Sequence, residues 1–159
     1  MTNTFEAPAR AQWLRLWSAL PASTVKALAV DLAEQHHVED LELPQSGLGL
    51  LPLTDSALGD TYFIGEIPLA QAHVRVTSTQ GQSTEGSAIL VDDRSGVARA
   101  MAILDAVLNA RLPGCEAALQ LLEQGSTEVA QQTRQRRALL AATRVDFALL
   151  GANEENDDE

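Results

Sequence analysis

The chain is poor in cysteine, lysine and aromatic residues. Cys115 and Lys26 are the sole members of their types, and Phe, Trp and Tyr together make up 4% of the 159 residues. One thiol cannot form an internal disulfide, which points to a reducing compartment and an expected cytoplasmic location. With so few aromatics, the core must rest on Leu, Val, Ile and Ala. Positive charge is also scarce: Lys and Arg number 11 against 22 acids, for a formal net charge of -11. Nonspecific binding to nucleic acid or to an anionic membrane needs clustered Lys and Arg, so neither is an expected partner. No apolar run approaches the length of a membrane span. Met1 to Arg10 lacks a basic start followed by an apolar stretch, so no secretory signal is expected. No Gly-x-x-x-x-Gly-Lys loop, Gly-x-Ser-x-Gly elbow, His-Glu-x-x-His or Cys-x-x-Cys occurs. What positive charge there is comes almost entirely from Arg, which suits fixed ion pairs and phosphate contacts.

The length and the 45% apolar content fit one domain with a real core. Pro8 suits a first helical turn, and Trp13, Leu16, Trp17 and Leu20 follow at helical spacing. Pro21 opens a second helix carrying Val25, Leu28, Ala29 and Leu32, which fades by His36-His37. Leu43 to Gly47 reads as a turn or linker. Four short strands are expected next: Leu48–Leu53, Thr61–Ile67 ended by Pro68, Ala72–Val76 and Ser87–Val91, joined by turns at Asp55–Asp60 and Gln80–Gln82. Asp92 or Asp93 can cap a helix with Val97, Met101, Leu104 and Leu108 on its apolar stripe. Leu112-Pro113-Gly114 ends it. A short helix with Cys115, Leu119 and Leu122 then stops at Gly125, and Ser126 caps a long final helix. The expected fold is α+β: N-terminal helices, a four-stranded antiparallel meander, then C-terminal helices, in one domain over 1–151. The acidic run at 152–159 is an expected disordered tail, because like charges repel and nothing apolar anchors them.

The final helical stretch ends in Ala142-Thr143-Arg144-Val145-Asp146-Phe147. Arg144 and Asp146 are two apart and cannot satisfy one another on a helix, so each needs a partner elsewhere. Apolar residues surround them on several sides, the pattern of a helix built to be enclosed. This run resembles the C-terminal signature of the PhnG family, the G subunit of the bacterial carbon–phosphorus lyase complex. Two further stretches carry the resemblance. One is Phe63-Ile64-Gly65-Glu66 with Leu69, Ala70, Ala72, Val74 and Val76. The other is Asp92-Asp93-Arg94 leading into Ala98-Arg99-Ala100-Met101-Ala102-Ile103-Leu104-Asp105-Ala106. Order and spacing fit from roughly Trp13 to Gly151.

The resemblance implies a subunit of a phosphonate-degrading machine, an obligate hetero-oligomer with the H, I and J subunits that works with L. Its reaction transfers the ribose triphosphate of ATP to a phosphonate with release of adenine, and the nucleosidase chemistry is implied for the I subunit. It supplies no catalytic residue, and it implies that ATP is used by the complex, with no cofactor bound by this chain. The first and last helices are expected to scaffold the I subunit, with Trp13, Trp17, Arg144, Asp146 and Phe147 as contact residues.

Other residues invite a chemical reading. His36 and His37 point about 100° apart on a helix, a poor chelate, so no metal site is expected. His73 lies beside Arg75 on the outer face of a strand. Gly65-Glu66 suggests a sharp turn whose carboxylate caps or pairs, and catalysis by Glu66 would need a second acid or base. Cys115 follows Pro113-Gly114 near a helix start, where a small buried thiol is expected in preference to a reactive one. Arg134, Arg136, Arg137 and Arg144 share the last helix, and Arg137 with Arg144, seven apart, could grip a polyphosphate. Two rivals to the subunit reading therefore stay open. One is an enzyme with its own phosphate site on the Arg137/Arg144 face; the other is a small homo-oligomeric phosphate- or nucleotide-binding module.

Overall fold

The computed structural model describes residues 7–143. Arg144, Asp146, Phe147 and the acidic run at 152–159 lie outside the described residues. Four helices and one antiparallel sheet make an α+β fold in the expected order. A short 3-10 turn, Arg10–Gln12, leads into α1, Trp13–Ser18, followed by α2, Ala22–Gln35. The sheet is β1, His37–Thr54, β2, Thr61–Thr77, and β3, Ser83–Leu90, ordered β1-β2-β3. Then come α3, Ser95–Asn109, and α4, Cys115–Ala142.

The meander has three strands where four were expected, because Pro68 does not end a strand; Pro44, likewise, does not keep Leu43–Gly47 out of β1. Pro44 lies between Glu42 and Gln45, where the β1–β2 register shifts. A bulge on an edge strand tolerates a residue without an N–H. Pro68 pairs with Leu48, inside β2. The β2–β3 pairing stops at Ala70, so at Pro68 the strand has a neighbour on one side alone. The expected linker at Leu43–Gly47 is thus part of β1, and the second and third expected strands are one. The turn at Asp55–Asp60 stands as read: the Asp55 carboxylate accepts the N–H of Ala57 and of Leu58. Gly59 supplies the positive φ there, 74°.

The core sits between the near end of the sheet and the helices. Ala70, Ala72, Val74 and Val76 on β2 and Ala88 and Leu90 on β3 turn inward at alternate positions. They meet α3, in which every residue from Ala100 to Leu108 is buried. This helix is enclosed on all sides, by the sheet and by α1, α2 and α4. The approach to the sheet is close because Gly86 has no side chain; a Cβ there would lie 2.1 Å from the carbonyl oxygen of Ala102.

Among the described residues, Cys115–Ala142 is one helix, not two. Gly125 does not stop α4, and Ser126 does not begin a helix. The glycine serves packing: a Cβ on Gly125 would come within 2.3 Å of the Leu16 carbonyl oxygen, so α1 crosses α4 there. The N-terminus of α4 is set by Gly114 at φ 86°. At α3, neither Asp92 nor Asp93 caps; Arg94 holds the cap position without a side-chain bond to the helix. Asp92 instead accepts the backbone N–H of Arg94 and its guanidinium.

Candidate functional site

Two of the expected contact residues, Trp13 and Trp17, are buried in the chain. Trp17 is 0% exposed and Trp13 is buried beside it, their rings 6.0 Å apart. The Trp13 indole donates to the Pro8 carbonyl at 2.8 Å. Both rings belong to the chain's own core, because the six-residue α1 spends its apolar stripe on α3 and α4. Arg144, Asp146 and Phe147 lie outside the described residues. Arg137 is exposed on α4.

What the structure does expose is a long two-stranded arm. Beyond the Ser46–Ala70 pair, β1 and β2 run on together to Thr54 and Thr61 without β3, and none of their residues there is buried. The stretch from Gly47 to Thr54 reaches about 25 Å at the usual rise of a strand. Large apolar side chains stand in solvent along it: Leu48 at 68% exposed, Leu50, Leu51, Leu53, Tyr62, Phe63 at 62% and Ile64. They occupy both faces. Residues paired across the ladder share a face, so Gly49 with Ile67, Leu51 with Gly65 and Leu53 with Tyr62 lie away from the helices. Leu48 with Pro68, Leu50 with Glu66 and Pro52 with Phe63 lie on the helix side. The register shift after Leu51 leaves Ile64 as an extra residue on β2. Leu69 folds over Gly49, whose Cβ would sit 2.6 Å from the leucine Cδ1. The expected sharp turn at Gly65-Glu66 is instead strand, and Glu66 is exposed on the arm.

A second exposed extension is the far half of α4. Its buried residues, Ala118, Leu121, Leu122 and Gly125, all lie in its first part. From Ser126 to Ala142 the helix runs on for about 25 Å. Leu139 and Leu140 are exposed near its end.

The polar clusters are structural. Across the outer sheet face Arg75 bridges Glu39 on β1, at 3.2 Å, and Glu85 on β3, at 2.8 Å. His73 Nε2 lies 3.3 Å from the same Glu85, which places this histidine on the outer face as the alternation implied. The Arg75 guanidinium holds the Glu85 carboxyl below the ordinary range. His36 is buried at the junction of α2 and β1, not on a fraying helix end, and donates from Nε2 to the Pro113 carbonyl at 2.8 Å. Cys115 is half-buried, and burial, helped by the charge of Glu116, pushes its thiol pKa up. That opposes any nucleophilic role. Among the described residues no three His, Cys, Asp or Glu side chains are placed to hold a metal ion.

One acid was passed over in the sequence. Asp105 lies within the buried run of α3, where its side chain is 6% exposed. It accepts two bonds from Arg10, at 2.8 and 2.6 Å, and one from the Ser87 N–H at 3.1 Å. The signal was a lone carboxylate inside an apolar helix. The bond set ties the N-terminal segment, α3 and β3 together.

Two arginines line one hollow where the sequence pointed to a different pair. A hollow of about 330 Å³ between α1 and α4 is lined by Arg15, Ser18, Gln132, Thr133 and Arg136. Arg136, not Arg137, faces it.

Residues 8–151 match the family model described as phosphonate metabolism protein PhnG. No curated protein matches the chain. No helix among the described residues is long and apolar enough to cross a membrane.

Proposed function

Because the chain belongs to the PhnG family of phosphonate metabolism proteins, we propose that it is a non-catalytic subunit of a carbon–phosphorus lyase assembly. In this reading it supports the transfer of the ribose triphosphate of ATP to a phosphonate, with release of adenine. It does so by holding the I subunit in place within a complex that also contains H and J and works with L. The observation that carries the reading is the exposed apolar surface of the β1–β2 arm. Contiguous apolar surface of this kind marks an interaction site, and a lone two-stranded ribbon is marginal in water. The polar clusters support it too, since each is consumed in pairs within the chain.

The test is co-expression with the H, I and J subunits. The four chains should elute together, and the assembly with L should release adenine from ATP and methylphosphonate. The purified chain alone should release none. Adenine release by the lone chain, or failure to elute with the I subunit, overturns the reading. Asp146→Ala should weaken co-elution; normal assembly would reduce that charged signature to local structure.

The hollow between α1 and α4 favours a second reading, a phosphate- or nucleotide-binding module. Arg15 and Arg136 with the Ser18 and Thr133 hydroxyls are the right chemistry for a polyphosphate. Calorimetric titration of the lone protein with ATP decides it: binding lost in Arg136→Ala supports this reading, and no heat removes it.

A further inference from the structure

We propose that the β1–β2 arm, residues 46–70, is a plug that inserts into an apolar cleft of a partner subunit whose rim carries Lys or Arg. The inference rests on the subunit reading above and names the surface and the partner chemistry.

Three features of the arm carry it. First, both faces are apolar and wet: Leu48, Leu50 and Phe63 on the helix side, Leu53 and Tyr62 on the other. A flat partner would cover one face and leave the other in water, whereas a cleft with two walls covers both. Second, the strand edges are blunted while the faces are not. Pro52 interrupts the arm's β1 edge, and Pro68 its β2 edge. Proline at an edge discourages addition of a further strand, so docking is through side chains on the faces. Third, the charge is of one sign. No Lys or Arg occurs between Lys26 and Arg75, and the charges of the arm are Asp55, Asp60 and Glu66. The Asp55 carboxylate is kept anionic by the N–H groups of Ala57 and Leu58. An acidic tip on a chain of net charge -11 selects a basic rim by complementarity.

The same features exclude the alternatives. A second copy packed arm against arm covers one face and sets like charges near each other at the tips. An anionic lipid surface repels all three carboxylates.

The experiment measures binding of the full chain to the complex of the H, I and J subunits at about 50 and about 500 mM salt. Four forms are compared. In one, residues 47–69 are replaced by Asn-Gly, which closes the Ser46–Ala70 pair with a two-residue turn. In the second, Leu50→Thr and Phe63→Thr alter the helix-side face; in the third, Leu53→Thr and Tyr62→Thr alter the other. The fourth carries Asp60→Lys and Glu66→Lys. The armless form should lose at least about a hundredfold in affinity, and each face pair at least about tenfold. The charge-reversed form should lose about tenfold at low salt and much less at high salt. The altered residues are exposed, so each form should melt close to the native chain, and the point variants answer the question even if the armless form does not fold.

Unchanged affinity in the armless form or in both face variants overturns the plug, as does a charge-reversed form whose loss relative to the native chain is absent or is the same at both salts. An arm-dependent homodimer of the lone chain in sedimentation replaces the partner cleft with a second copy, and also overturns it. If the native chain itself does not bind H, I and J, the subunit reading fails; if it binds and the arm variants bind equally, the plug alone fails.

Discussion

Asp105→Ala should unfold the chain more easily by about 2–3 kcal/mol, a figure that follows from its three bonds. Two run to Arg10, whose side chain is 48% exposed, so solvent screening holds that pair to about 1 kcal/mol. The third satisfies the Ser87 N–H at 3.1 Å; orphaning it and emptying the site adds about 1–2 kcal/mol. For a domain of this size each kcal/mol lowers Tm by about 2–4 °C, so the drop should be about 5–10 °C. Asp105→Asn keeps an acceptor for Ser87 and should lose about 1 kcal/mol. Arg10→Ala is the sharper case. It leaves a carboxylate that is 6% exposed with the Ser87 N–H as its remaining bond, at a cost of about 3 kcal/mol. The double variant should therefore be hardly worse than Asp105→Ala alone, giving a coupling close to the whole Arg10→Ala loss, about 3 kcal/mol. Urea unfolding followed by Trp fluorescence reads all four, since Trp13 and Trp17 lie in the core. Additive single effects, or an Asp105→Ala loss below about 0.5 kcal/mol, would refute the three-way tie.

Other predictions concern packing and titration. Gly86→Ala should destabilise by about 3 kcal/mol, because its Cβ would meet Ala102 and Ala106 backbone atoms at 2.1 and 2.6 Å; a neutral thermal melt would show that α3 is not seated on β3. Gly125→Ala sets helix propensity, worth about 1 kcal/mol in favour of Ala, against a clash 2.3 Å from the Leu16 oxygen; net destabilisation is expected, and a gain in Tm would mean α1 and α4 do not touch there. The Asp92 carboxyl, bonded to the Arg94 guanidinium, is pulled down to about 2. Its folded pKa is depressed, so its stabilising contribution is present above the ordinary carboxylate value and is lost as pH falls through about 2. Carboxyl NMR should show it ionised at about pH 3, and Arg94→Gln should raise the midpoint toward the ordinary value; a midpoint unmoved by the variant refutes the pairing. Cys115 should alkylate more slowly in the native chain than in urea at neutral pH, since burial raises its pKa; fast native labelling would contradict that.

The sequence by itself determined the class, the element order and the family. Helical spacing at Trp13, Leu16 and Trp17, alternation from Ala72 to Val76 and the stripe of α3 each record burial against a neighbour, and burial repeats with the period of the element. The family followed from ordered motifs over nearly the whole chain. Proline and glycine were misread because their meaning depends on what lies beside them. Pro68 ends a strand with neighbours on both sides but not one with a free edge, and Gly125 breaks an isolated helix but seats a crossing one. The same limit hid the arm. Leu50-Leu51 and Tyr62-Phe63-Ile64 look like core in one dimension, because an apolar residue shows its wish for burial and not what buries it. Only the tertiary structure decided that α3 covers the near end of the sheet and that nothing described covers the far end. It also decided that Trp13 and Trp17, which looked free to meet a partner, were already spent on the chain's own core. Chain-distant segments such as Arg10 and Asp105 meet through packing, and packing is a property of the whole fold rather than of any local pattern.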